Sequence, residues 1–359
     1  MSGPAPTLDL DSDVVTLTAA LCDVESVSGH EDVLADAVES ALEALPHLRV
    51  TRLGNTVVAR TELGRAERVV IAGHLDTVPL ADPPNLPSRR TRQALWGRGT
   101  VDMKGGVAIA LRLAHAVPQP ARDVTFVFYD GEEVAARFNG LGRVERERPE
   151  LVTDADFAVL MEPTDGRVEG GCNGTLRAEV LATGVAAHSA RPWRGHNAVH
   201  EAATILTRLT AYEAETVTVD GLDYRESMQA VGIHGGTGAN VIPDACVVTV
   251  NYRYAPDKSP DEAEALVRNL FDGYEVTVAE NAAGARPGLD LPAARAFLDA
   301  LGVDVVAKQG WTDVARFSAM GVPAVNFGPG DPGLAHHDEE QCPIAQITDG
   351  ESAMLRWLS

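Results

Sequence analysis

Two stretches of the sequence carry metal-ligand side chains where a strand should end. In "RVVIAGHLDTVP" an apolar run leads into His74 and Asp76, and side chains two residues apart share a face of an extended chain. In "DVTFVFYDGEE" a second run leads into the tandem Glu132 and Glu133. Asp102 stands in "GRGTVDMKGG" just ahead of a helical pattern, Glu162 ends "DFAVLME", and His336 follows "VPAVNFGPG" within "GPGDPGLAHHDEE". Imidazole nitrogens and carboxylate oxygens with no thiolate among them suit a divalent cation. One such residue at a strand end is ordinarily a cap or part of a solvated turn. Several strand ends carrying the same chemistry are a different case, because one sheet edge brings strand ends together.

The set divides naturally around two ions. A shared carboxylate bridges ions about 3.5–4 Å apart, and Asp102 is the expected bridge. His74 and Glu162 complete one ion's ligands, Glu133 and His336 the other's; His337 takes the place of His336 if the register slips by one. Asp76 is expected to accept the second ring proton of His74 and so fix its tautomer. Adjacent residues cannot bind one ion in the same way, which leaves Glu132 as the general base beside Glu133 as ligand. The donor set favours two zinc ions, with cobalt or manganese able to use the same groups.

The elements that must position these residues can be read from periodicity. "DVVTLTAALCDV" and "EDVLADAVESALEAL" have helical apolar spacing around the turn "SVSGHE". "RVVIAGHLD", "DVTFVFYD", "DFAVLME" and "VPAVNFGPG" are short, rich in Val, Ile and Phe, and bounded by polar residues, as strands buried on both faces are. A helical "DMKGGVAIALRLAHAV" between the first two gives strand-helix-strand order, the mark of a parallel sheet. Between residues 175 and 286 the order changes to β-α-β-β-α-β, flanked by the Gly-rich "EGGCNGT" and "NAAGARPG". The expected fold is therefore α/β, a mostly parallel sheet covered by helices. It forms a discontinuous catalytic domain of residues 1–174 and 287–359, with residues 175–286 inserted as a smaller domain.

Composition narrows the function. A chain of 359 residues with 45% hydrophobic content can fill two cores, and a formal net charge of -22 repels phosphate backbones and anionic lipid, so neither nucleic acid nor a membrane surface is an expected partner. The opening "MSGPAPTLDLDSD" lacks the basic and apolar regions of a signal peptide, and Cys22, Cys172, Cys246 and Cys342 form no paired framework; both point to the cytoplasm. There is no G-x-S-x-G elbow for a serine hydrolase, and "GRGTVDMKGG" lacks the spacing of a dinucleotide fingerprint.

In that order, "GHLDTVP", "GRGTVDMKGG", "YDGEE", "MEPT" and "GPGDPGLAHHDEE" resemble the co-catalytic zinc family of aminoacylases, exopeptidases and amino-acid deacylases, over nearly the whole chain. The resemblance implies the same ligand set, hydrolysis of a linear amide, and a homodimer made through the inserted domain. "GVAAHSARPWRGHNAVH", "GANVIPDA", "NYRYAPDKS" and "GWTDVARF" are similar to the branch that deacylates a small N-acyl diamino acid, with an N-acetylated amino acid or a dipeptide as the alternative substrate. That similarity implies that His188 reaches a partner subunit's site to hydrogen-bond the developing oxyanion. It also implies that Asn240 and Arg253 meet the substrate's carboxylate end, and that Thr312 and Arg316 lie on a substrate-facing loop. The chain departs from the pattern at Gly131, where many members have aspartate, and at Cys172–Asn173, where the branch has an arginine pair. Arg191, Arg194 or Arg253 is then left to read the acyl carboxylate.

Overall fold

Val, Ile and Phe runs build the strands, and their burial from end to end shows a sheet covered on both faces. In the computed structural model, which describes residues 6–359, Asp123–Tyr129, Phe157–Leu160 and Ala324–Asn326 are buried throughout, and Arg68–His74 is buried after its first residue. The opening residues 1–5, on which part of the leader-peptide expectation rests, lie outside the described residues. Two compact units are formed. One comprises the chain up to Gly170 with Gly288–Val306 and Arg316–Ser359, and the other Gly171–Pro287 with Ala307–Ala315.

The first unit holds a mixed eight-stranded sheet with a parallel centre. Its order is Arg49–Leu53, Thr56–Arg60, Asp123–Tyr129, Arg68–His74, Phe157–Leu160, Ala324–Asn326, Val168–Gly170, Val305–Ala307. The four strands anticipated from their apolar runs are neighbours and run parallel. His74 pairs with Tyr129, and Ala72 with Leu160, so the carboxyl ends of three strands stop close to one level. Helix Lys104–Ala116 connects two of these strands and packs on Val14–Cys22 and Ile344–Leu358, closing a core that includes Ile71, Ile109, Phe157, Phe297 and Trp357. Asp13 caps Val14–Cys22, its carboxylate accepting from the Val15 and Thr16 amides.

The approach of Lys104–Ala116 to the sheet depends on glycine. A Cβ on Gly106 would lie 2.1 Å from the Met161 carbonyl oxygen, next to Glu162. Only a residue without a side chain lets this helix start against the strand end that carries Glu162.

The second unit has the anticipated β-α-β-β-α-β order: Gly174–Thr183, Ala198–Thr210, Ser227–Gly235, Ala245–Tyr254, Pro260–Leu270 and Glu275–Ala282. All its sheet pairings are antiparallel. Cys246, Val248, Val250, Tyr252 and Tyr254 alternate inward beneath the helices, which leaves Arg253 on the opposite face. Some features were not anticipated. A hairpin, Thr216–Val219 with Leu222–Arg225, turns on Asp220 and Gly221, both at positive φ, which suits the Asp-Gly pair. Residues 307–315 also belong to this unit, beyond the boundaries of 175 and 286 expected for it: the Asn173 side chain donates to the carbonyls of Arg225 and Gln309, and Trp311 donates to that of Ala283.

Among the described residues no helix is long and apolar enough to cross a membrane, and all four cysteines are buried and unpaired. Overpacking at a backbone contact costs about 1–3 kcal/mol, so G106A is expected to lower the thermal midpoint clearly. G310A, where nothing lies within 4 Å of an added Cβ, is expected to leave the midpoint nearly unchanged. Thermal unfolding of the two variants beside the parent checks the contrast.

Candidate metal centre

Strand ends and the loops that follow them bring four of the expected ligands together. His74, the last residue of its strand, points Nε2 at Asp102 Oδ1, 3.1 Å away. The other Asp102 oxygen lies 3.4 Å from His336 Nε2, which is also 2.9 Å from Glu133 Oε1. Ligand atoms of His74, Asp102 and Glu133 all fall within 4.8 Å of one another. One carboxylate thus faces a histidine with each oxygen. Glu162 is buried two residues past Phe157–Leu160 and lies outside that compact trio. His336, with φ of 64°, turns its ring into the cluster, whereas His337 turns Nδ1 toward its own backbone and accepts from the Glu339 amide.

The charges in this cluster balance in pairs. Burial disfavours charge on His74, but its hydrogen bond to Asp102 and the nearby carboxylates of Asp102, Asp76 and Glu132 outweigh this and carry its pKa well above the ordinary value. Hydrogen bonds to Asp102 and Glu133 raise His336 to about 10. Burial pushes Asp102 up, and its two histidine partners more than offset this and hold it well below the usual carboxylate range. The donor set fits divalent cations: nitrogen and oxygen donors, a carboxylate facing two ways, and imidazoles whose protons beside Asp102 and Glu133 a metal can replace.

Asp76 has a different job from the one expected. Its carboxylate oxygen is 3.6 Å from His74 Nδ1, and the closer acceptor for that nitrogen is the Asp76 carbonyl oxygen at 3.0 Å. The carboxylate itself accepts from the amides of Glu132 (3.0 Å) and Glu133 (3.1 Å) and from the Ser28 hydroxyl (2.7 Å). It therefore clamps the turn that presents the tandem glutamates, while the residue's backbone orients the histidine. Gly131 explains the departure noted in the sequence: it has φ of +67° and an added Cβ would sit 2.6 Å from the Phe138 carbonyl oxygen. The acid beside it, Asp130, is held by both terminal guanidinium nitrogens of Arg143 and by Thr56 Oγ1. Ser28 was missed because a serine in a turn carries no spacing signal.

In the second unit, Ala187–His188 pairs with Val241–Ile242, and Ser189 donates to the Asn240 carbonyl, so His188 and Asn240 stand together on an exposed edge. The Ala190 amide donates to His188 Nδ1 (3.1 Å), which leaves the proton of a neutral ring on Nε2, directed outward. Arg191 is exposed and closes the turn onto the His188 carbonyl. Arg253 donates through Nε to Asn251 and is not with this pair; Thr312 is buried, its carbonyl facing the Cys172 thiol. Arg316 belongs to the first unit, with its guanidinium 3.4 Å from Glu145.

Because both ring protons must leave when a cation binds, metal affinity is expected to rise with pH through the neutral range and uptake to release protons. Calorimetric titration of the metal-free protein, in mildly acidic and mildly alkaline buffers of different ionisation enthalpy, checks this; a pH-independent affinity contradicts it.

The profile of peptidase family M20/M25/M40 matches residues 70–359. A Mycobacterium tuberculosis protein bearing the name of a succinyl-diaminopimelate desuccinylase, DapE, is 51% identical over 354 residues, which is 98% of this chain and 99% of that protein. The succinyl-diaminopimelate desuccinylase of Corynebacterium glutamicum is 46% identical over 365 residues, covering 99% of this chain and 98% of its own length. The solved structure of a Staphylococcus aureus tripeptidase superposes with a TM-score of 0.78 at 20% identity and 98% coverage of both chains, and that of an M20 metallo-carboxypeptidase from Sulfolobus solfataricus with 0.77 at 15%, covering 96% of this chain and 98% of its own; these two likenesses are of fold alone. A His/Asp/Glu cluster at the carboxyl edge of a parallel sheet, together with these matches along the chain, makes it a member of peptidase family M20/M25/M40.

Proposed function

We propose that this chain hydrolyses N-succinyl-LL-2,6-diaminopimelate to succinate and LL-2,6-diaminopimelate, a step toward lysine. The observation that carries the chemistry is the Asp102 carboxylate facing His74 with one oxygen and His336 with the other. The substrate rests on the likeness to the desuccinylases.

His74, Asp102, Glu133, Glu162 and His336 would hold two divalent ions, zinc fitting the donors best and cobalt or manganese using the same ones. Bound there, the ions would polarise the amide carbonyl and make water acidic enough to supply a nucleophile at neutral pH. Glu132 is the group to take that water's proton, since its amide is fixed by Asp76 and its carboxylate lies within electrostatic reach of His74. As the carbon–oxygen bond forms and the amide carbon–nitrogen bond breaks, the same carboxylate returns the proton to the departing amine. The outward Nε2–H of His188 is a donor suited to the oxyanion, and we assign it to act across a homodimer. The second unit supports that dimer: its edge strand Ser227–Gly235 leaves Val231 and Ile233 exposed at 60% and 55%, apolar edge surface that proteins normally cover. Asn240 is the candidate for the substrate's carboxylate end because it neighbours His188; Arg191 is the nearest cation to that pair along the chain and Arg253 the more remote choice. Thr312 and Arg316 keep substrate-facing roles only on the strength of the sequence resemblance. The four unpaired cysteines support a reducing, cytoplasmic setting.

Zinc-loaded protein is expected to hydrolyse N-succinyl-LL-diaminopimelate, to lose that activity with chelator, and to turn over N-acetylornithine poorly. A reversed preference in parallel steady-state assays would retain the amide hydrolysis and overturn the substrate. E132A is expected to lower kcat by about 10²–10⁴-fold with metal content unchanged, checked by elemental analysis beside the assay.

A further inference from the structure

Glu340 follows His336 by four residues, and its side chain is 1% exposed. Its Oε1 accepts from the amides of Val101 (2.9 Å) and Asp102 (3.2 Å), and its Oε2 accepts from Arg98 Nη1 (2.9 Å). Arg98, 4% exposed, directs its other contacts at backbone carbonyls, with Nη1 3.2 Å from His337 O and Nε 3.1 Å from Pro79 O. A short sheet sets the register of the pair. Gln341–Pro343 runs antiparallel to Ala94–Trp96, and the Gly97 amide continues the ladder by donating to the Glu340 carbonyl. One buried ion pair thus touches the segments that follow or carry His74, Asp102 and His336.

We infer that Arg98 and Glu340 are positioning residues of the metal centre, holding the backbone of Asp102 so that its two carboxylate oxygens stay aimed at His74 and His336. Beyond Gly97, residues 98–103 are turn rather than helix or strand, so no sheet ladder fixes Val101 or Asp102. The Glu340 carboxylate supplies the missing anchors at Val101 and at Asp102 itself. A buried ion pair is a poor source of stability, because desolvation consumes most of its attraction and an apolar pair often serves as well. Its use here is geometric: a ligand that must serve two sites tolerates little displacement, and second partners of ligands commonly set metal affinity.

This inference rests on the metal-centre reading, and the experiment separates the two. Zinc affinity and stoichiometry are measured by chelator competition for the parent, for E340Q, which keeps shape but loses the paired charge, and for R98K, which keeps charge but loses the fork to the two carbonyls. The parent is expected to take up two ions, E340Q to bind about 10–100-fold more weakly, and R98K to fall between. At limiting zinc the variants should lose kcat, and excess zinc should restore it with KM unchanged, a pattern that loss of stability alone would not give. A parent that takes up no ion overturns the metal-centre reading. Folded variants that bind as tightly as the parent overturn the positioning role alone. If one variant fails to fold, the other decides; if both fail, the pair belongs to the fold and the inference is overturned.

Discussion

Carboxylates gathered at the edge of a parallel sheet repel one another, and the first unit is organised around offsetting that repulsion. Five acids near the centre show the remedies. Asp76 is surrounded by amide and hydroxyl donors from Glu132, Glu133 and Ser28. Asp102 stands between two imidazoles, and Glu133 shares one of them. Glu340 has backbone amides and a guanidinium, and Asp130 has a two-pronged guanidinium and a hydroxyl. The acids with backbone or arginine partners are satisfied by the protein itself. Those facing the histidines are balanced by protons, which is the charge a divalent cation can replace.

That division separates structural acids from candidate ligands more sharply than burial does. Glu340 and Asp76 are as buried as His74, but their oxygens are committed to fixed donors. Asp102 and Glu133 keep theirs directed at exchangeable partners. Close backbone packing supports the arrangement, since Gly106 lets the helix after Asp102 begin against the strand end that carries Glu162, and Gly131 lets the turn after Tyr129 present the tandem glutamates.

The second unit uses different physics. Its sheet is antiparallel with helices on one face, so alternation along Ala245–Tyr254 buries one row and exposes the other. The tautomer of His188 is set locally by a backbone amide two residues on, so the outward donor does not depend on long-range packing.

Local pattern determined the four central strands, the first helices, the order of the second unit and most of the candidate ligands at strand ends, because periodicity and composition encode which face of an element is buried. The outer strands Arg49–Leu53, Thr56–Arg60, Val168–Gly170 and Val305–Ala307 were not read from it. The preference for His336 over His337 came from the family resemblance, and the structure turns the His336 ring toward Asp102 and Glu133. The Asp-Gly hairpin was equally local and could have been read from "TVTVDGLDYR". Only the tertiary structure decided what meets across the chain. Arg98 and Glu340 are separated by 242 residues, and Asp76 reaches amides 56 and 57 residues away. Residues 307–315 join the second unit through hydrogen bonds from Asn173 and Trp311. Loop paths set these pairings, and a loop has no period from which its path could be read.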